Sequence, residues 1–437
     1  MDDFSKMIFE KKTQANKDFT KNNNLKSIQS NSFVYEVYSK FKNSCHSEIK
    51  MKRNIINIYD NKNIEKKNLK NRNPGIDLVR LICMFMIIIN HFLYFGQAFK
   101  KYPNHKNVLI PLHNLTDWSN NGFALISGIV GYKTNRYSNL LYLWVTVFFY
   151  SLGIHLFIRH FKKDFIIKHK ISVEFFPIIF KRYWYFTAYF GMYLYLPVIN
   201  KGISYLTKSE FKLVVMSTLG IFVLWRDYKN PNRDVFDLRE GNSMIWLLTY
   251  YLTGAYIGKY NTNYTGYKKY FFYFLCLFIY FFPSYLYNIL NNNQQNESKS
   301  YLKKKLKQML TKRYDSFFKI SQSISACLFF MQIKYSNFAS KIICFLGPLA
   351  FGIYLIHTHP IFIVNSLKHI FDNLRDDISI NSIIFLVLLK TLKVFIFCII
   401  IDYFRSILFS FLKLRKIFIT VEEKMKNILN ENDNLKP

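Results

Sequence analysis

A series of apolar runs too long for a soluble core constrains this chain more than anything else in it. LICMFMIIINHFLYFG, LLYLWVTVFFYSLGIHLFI and YFFYFLCLFIYFFPSYLY are three of them. Runs of about 17–25 apolar residues match the hydrocarbon thickness of a bilayer when helical. The mean hydropathy of the whole chain is only +0.03, because these runs are averaged with polar tails and loops. The expectation is an all-α integral membrane protein with about ten transmembrane helices.

The formal charge of +33 over 437 residues could suggest nucleic acid, whose phosphates attract basic patches. Here Lys is scattered over every loop and tail, often beside Asn, with no finger, helix-turn-helix or aromatic RNA motif. A general Lys/Asn/Tyr/Phe bias and attraction to anionic lipid account for the charge better. Of the six cysteines, Cys83, Cys276, Cys327, Cys344 and Cys398 sit in apolar runs, where Cys behaves as a small hydrophobe, and only Cys45 does not. There is no CxxC, zinc spacing or HExxH, so no metal site is expected.

Residues 1–74 are polar, Lys- and Asn-rich and without a sustained period, which reads as a disordered cytoplasmic tail with one short helix around Val34–Phe41. Residues 75–411 form the transmembrane domain and 412–437 a basic, polar C-terminal tail. The expected spans are 76–98, 112–132, 140–158, 183–199, 211–225, 244–258, 268–290, 317–333, 342–365 and 382–410; Asp117, Asn120 and Asn121 weaken the second. Ten spans put both termini on one side. The basic tail and Lys413, Arg415 and Lys416 argue for the cytoplasm, in a cell (plasma) membrane, although the basic loops 159–182 and 299–313 then fall outside.

Within the first span, Arg80 and His91 are separated by ten residues, mostly Leu, Ile, Met and Phe. Eleven steps of about 100° return nearly to the starting angle, so both side chains lie on one face, roughly 16 Å apart along the axis. Asp77, three residues before Arg80, joins that face. Ionisable groups inside a span are costly and usually face a protein interior or a wet cavity.

The segments NPGIDLVRLICMFMIIINH, FALISGIVGY, RYWYFTAYFGMYLYLPVINK, DVFDLREGNSMIWLLTYYLTGAYI and FGIYLIHTHPIF resemble the membrane acyltransferase-3 family, most closely its polysaccharide O-acetyltransferase-like members. The first carries the family's Arg, ten residues, His motif as Arg80 and His91. The resemblance implies transfer of an acyl group, usually acetyl, from cytoplasmic acyl-CoA to a hydroxyl of a glycan or lipid-linked sugar. Two departures stand out. Many members have an Arg-x-x-Arg pair where this chain has only Lys133 and Arg136, and Asn242 replaces the aromatic of a Gly-Tyr-Ser. Neither site is carried over.

Acyl transfer from a thioester to a hydroxyl needs a base, stabilisation of the oxyanion and a grip on the anionic CoA. His91 suits the base, or else is a histidine hydrogen-bonded between helices. Arg80 suits the CoA phosphates, or else snorkels to headgroups; Asp77 reads as its orienting partner or a helix-start residue rather than a catalytic acid. Tyr354 and His357 share a face before Pro360 and read as substrate contacts, a second proton carrier or an interfacial belt, with His359 the weaker histidine. Ser127 with Gly128 and Gly131, and Ala188 with Gly191, suit close helix approach, Ser127 being also a candidate substrate contact. Trp184, Tyr185 and Tyr189 can stack on sugar or adenine, or form an aromatic belt; Trp184 and Tyr189 are carried as substrate contacts. No GxSxG, phosphate loop or triad order occurs, which favours direct transfer over a covalent acyl-enzyme. The expected partners are acyl-CoA, a glycan or lipid-linked acceptor and membrane lipid, with no nucleic acid and no permanently bound cofactor. The rival is a polytopic exporter of glycan precursors, but the paired, interrupted half-helices of internal repeats are not evident.

Overall fold

The first apolar run begins where its capping residues dictate. Asn73 accepts a hydrogen bond from the Gly75 N–H at 2.8 Å, Pro74 occupies the first helical turn, and Asp77 faces the positive end of the helix dipole. The helix that follows, α1 (Pro74–Phe95), runs 22 residues. This computed structural model describes residues 72–434, except 163–169, 226–233, 235, 261–263, 293–300, 312–313, 373 and 376. The expected N-terminal tail up to residue 71, with its short helix around Val34–Phe41, lies outside the described residues.

After α1 come α2 (Lys106–Thr116), α3 (Ser119–Gly131), α4 (Tyr137–Phe161), α5 (Trp184–Tyr205), α6 (Lys208–Leu219) and α7 (Met244–Tyr260). They are followed by α8 (Tyr267–Asn292), α9 (Tyr301–Thr311), α10 (Phe317–Gln332), α11 (Asn337–Leu346), α12 (Ala350–His357), α13 (Pro360–Asn365), α14 (Ile380–Phe411) and α15 (Leu414–Asn434). The described residues contain no strand, so the fold is all-α. Each expected span falls on helix, but two are broken. The run 112–132 turns at Asp117–Trp118 between α2 and α3, and 342–365 passes through α11, α12 and α13 with a break at Thr358–His359 before Pro360. Residues 414–434 of the polar C-terminal segment form α15.

Among the described residues, five stretches are long and apolar enough to cross a membrane: α1, α4, α8, the run Asn337–His357 and α14. Protein buries 56% of the apolar window of α1, against 22–44% for the other four. The central helix is therefore α1, and it divides the core. Val79 and Cys83 join a cluster with Trp118, Trp246 and Tyr250, while Met84 and Ile88 join another with Ile353 and Phe371. The peripheral helices expose large apolar groups such as Phe271, Phe274, Phe385 and Phe404. Patches of that size oppose water and suit lipid, so this is a membrane protein. The tightest helix pair is α3 with α7, where Gly128 lies against the Tyr251 carbonyl and Gly254 against the Leu125 carbonyl, leaving no room for a Cβ. Small residues at such a crossing are what lets two backbones meet.

Candidate active site

The start of α1 carries the first piece of the candidate site. Asp77 is fully buried, and Arg80 Nη1 donates to its Oδ1 at 2.5 Å. A carboxylate removed from water needs such a partner. The backbone at Gly347 passes so close that a Cβ there would come within 2.7 Å of Asp77. Arg80 keeps 23% of its side chain exposed, so the residue that holds Asp77 is itself only partly buried.

Ser127 on α3 and Tyr189 on α5 sit on the same side of α1 as Arg80. Ser127 Oγ donates to the Phe123 carbonyl and lies within hydrogen-bonding reach of Tyr189, which also feels the Arg80 charge. The Tyr189 ring stacks on Tyr185 at 6.4 Å, and Tyr185 meets Trp184 edge-on at 5.5 Å and Tyr354 at 6.1 Å. An aromatic wall thus links Arg80 to α12.

At the deeper end of the face of α1, His91 lies beside His357, with ring centres 5.2 Å apart and planes inclined by 39°. Phe95 borders the other side of His91 at 5.2 Å. His357 is fully buried, and its Nδ1 lies 2.6 Å from the Ile353 carbonyl. Nδ1 of His91 and Nε2 of His357 are buried and meet no hydrogen-bond partner among the described residues. Two groups 266 positions apart in the sequence are therefore neighbours. An apolar cavity of about 470 Å³ touches Leu81, Ile82, Phe85 and Met86, on the opposite face of α1 from Arg80 and His91. The helix itself separates Arg80 and His91 from that cavity.

His359 turns away from this pair. Its Nδ1 accepts from the Ile361 N–H, capping α13, and its Nε2 lies 3.9 Å from Glu174. Glu174, in a single turn at Ser172–Phe175, is buried under Arg182, which donates from both Nε and Nη2, and accepts from Ser151 Oγ at 2.6 Å, with His155 at 3.4 Å. Burial alone would raise the Glu174 carboxyl, but Arg182 and Ser151 more than offset it and hold it below the usual carboxylate range.

Two further buried ion pairs carry no expectation from the sequence. Asp402 and Arg405, three apart on α14, are joined by bonds of 2.7 and 2.8 Å, and Tyr150 donates to Asp402 at 2.7 Å. Lys319 on α10 is fully buried, 3.4 Å from Asp117 and donating to the Asn114 carbonyl at 3.2 Å. Asn90, the neighbour of His91, reaches Asp117 at 3.5 Å and accepts from Thr116 Oγ1 at 2.5 Å. That network fixes α1 beside its catalytic candidate. The available signals were one of two acids in a basic loop for Glu174, an i,i+3 pair for Asp402–Arg405 and a solitary Lys in an apolar run for Lys319.

Lys133 and Arg136 lie between α3 and α4. Lys133 lies over the Tyr132 ring and the Arg136 carbonyl accepts from Tyr193. Asn242 donates to the Arg239 carbonyl in a short turn before α7. No curated protein matches this chain significantly, and no solved structure does. An acyltransferase-domain family model matches residues 73–403, all but the two ends of the chain, and the protein belongs to the membrane acyltransferase-3 family.

Proposed function

We propose that this membrane acyltransferase is an O-acetyltransferase, with acetyl-CoA as donor and a hydroxyl of a cell-surface glycan or its lipid-linked precursor as acceptor. The observation that carries the reading is the arrangement along α1, with a partly exposed Arg80 held against Asp77 near one end and His91 beside His357 roughly 16 Å deeper on the same face. Arg80, oriented by Asp77, grips the CoA phosphates; its fork geometry suits them and its charge is permanent. His91 takes the proton of the acceptor hydroxyl as its oxygen attacks the thioester carbonyl. When the tetrahedral intermediate collapses, the C–S bond breaks and the same imidazole returns the proton to the CoA sulfur. Ser127, Trp184, Tyr189, Tyr354 and His357 line the acceptor's approach, the aromatic rings offering faces for sugar.

The reading includes about ten spans, with the N-terminal tail and Arg80 on the cytoplasmic side of the plasma membrane, so that donor and acceptor meet from opposite faces. The test is acetyl transfer from labelled acetyl-CoA to glycan in vesicles holding the purified protein. His91→Gln should lose transfer by about 10²–10⁴-fold, the usual cost of a missing general base, with acyl-CoA binding near normal. A variant retaining more than about a tenth of the turnover would remove His91 from the role of base.

A further inference from the structure

We infer that His357 is the acceptor partner of His91 in a histidine dyad, a positioning residue that fixes the tautomer of the base and supports the cation it becomes. The inference rests on the reading of His91 as the base. His357 Nδ1 faces the Ile353 carbonyl at 2.6 Å, and a carbonyl only accepts. Nδ1 therefore carries the ring's proton, and Nε2 of the neutral ring is a lone-pair acceptor. That Nε2 is buried without a partner among the described residues, and so is Nδ1 of His91.

The two orphaned nitrogens belong to rings whose centres are 5.2 Å apart. Imidazoles bridged by an N–H···N bond of about 2.9 Å have centres roughly 5 Å apart, so the separation of the two rings matches that of a bridged pair. His91 is half-buried, and Nδ1 is its only buried orphan, which leaves Nε2 as the nitrogen open to a substrate. The pairing then assigns every atom. Nδ1–H of His91 donates to Nε2 of His357, and Nε2 of His91 holds the lone pair that receives the hydroxyl proton. As the O–H bond breaks and the oxygen attacks, His91 becomes an imidazolium whose Nδ1–H bond to His357 strengthens. No proton passes to His357. The same proton leaves Nε2 of His91 for the CoA sulfur when the C–S bond breaks. A neutral imidazole serves here where a carboxylate supports the histidine in other hydrolytic and transfer sites, and it does so without placing a negative charge in the span.

The test uses the full-length protein in lipid nanodiscs, labelled with ¹⁵N-histidine, as wild type, His357→Gln, His357→Leu and, for assignment, His91→Gln. Solid-state NMR at neutral pH should find His91 as the Nδ1–H tautomer in the wild type and in His357→Gln, whose amide oxygen replaces the acceptor. In His357→Leu that tautomer should give way to Nε2–H or a mixture. In parallel, His357→Leu should lower kcat by about 100-fold with unchanged acyl-CoA affinity, and His357→Gln should recover to within about tenfold of wild type. A wild-type His91 in the Nε2–H form, or Gln and Leu variants alike in both measurements, would overturn the dyad. The tautomer readout needs no substrate, so the dyad signature in a protein that transfers no acetyl would keep the pairing and overturn the acetyltransferase reading instead.

Discussion

Breaking the Lys319–Asp117 pair should destabilise the protein more than removing it altogether. Lys319 is fully buried, its ammonium 3.4 Å from Asp117 and 3.2 Å from the Asn114 carbonyl. Lys319→Met keeps the stem's volume but leaves Asp117 with Asn90 at 3.5 Å and His113 at 3.8 Å as its remaining partners. An uncompensated buried charge typically costs about 3–5 kcal/mol, and the two residual contacts, both long, return only part of it. Asp117→Asn alone strands the ammonium in the same way, with a carbonyl for company. The double variant has neither charge and should recover most of the loss, giving a coupling energy of about 2–3 kcal/mol. The assay is reversible unfolding in detergent, followed by tryptophan fluorescence, for wild type, both single variants and the double. Trp118 is buried beside this network and reports on it. Single variants that are neutral, or a double whose loss equals the sum of the two, would refute the argument that the pair exists to neutralise one buried charge with another.

Glu422 on α15 accepts from the backbone N–H groups of Tyr137 and Ser138 at the start of α4 and pairs with Lys426 at 2.7 Å. Burial alone would raise its carboxyl, but Lys426 and the Ser138 and Tyr137 donors bring it down from 4.5 to about 2. Its stabilisation is thus complete above pH 4.5 and lost as pH falls through about 2; Glu422→Gln should cost about 1 kcal/mol at pH 7 and progressively less below pH 4.5 in melting experiments. Arg80→Ala should weaken acetyl-CoA binding and flatten its salt dependence, with Lys rescuing only part because the fork is gone; titration of acetyl-CoA at two ionic strengths checks both. Gly128→Ala would push a methyl into the Tyr251 carbonyl and should cost about 1–3 kcal/mol, read as a lowered Tm, whereas the same change at Gly153, with nothing within 4 Å, should not destabilise.

What the sequence could disclose about this fold follows from the range over which each signal acts. Helix periodicity places Asp77, Arg80 and His91 on one face because their angles depend on residue spacing alone. It also places the breaks, since Asp117, Asn120 and Asn121 interrupt one run and Pro360 another. The small residues around Gly128 announce a close crossing but do not say with which helix; the partner is α7, more than a hundred residues on. The same limit hides the meeting of His91 with His357. Each lies in an apolar run with its own local pattern, and only the packing of α12 against α1 brings them together.

The charges and the imidazoles of this protein obey different rules. Asp77 has Arg80, Glu174 has Arg182, Asp117 has Lys319 and Asp402 has Arg405. A charge in the interior demands an opposite charge, because leaving it alone costs more than folding can recover. The last three pairs are buried on both sides, whereas Arg80 keeps 23% of its side chain exposed. A neutral imidazole can be buried with one nitrogen unmet at a much smaller cost, comparable to a lost hydrogen bond. His91 and His357 do this side by side, one nitrogen each, at the end of the α1 face that Arg80 begins. Adjacent histidines in a packed interior bring less dispersion than two aliphatic side chains of their size, so packing alone is a poor reason for them. Under the proposed reading proton transfer is a sufficient one: the pair would keep a lone pair available without an ion beside it, and an acceptor hydroxyl would supply the proton.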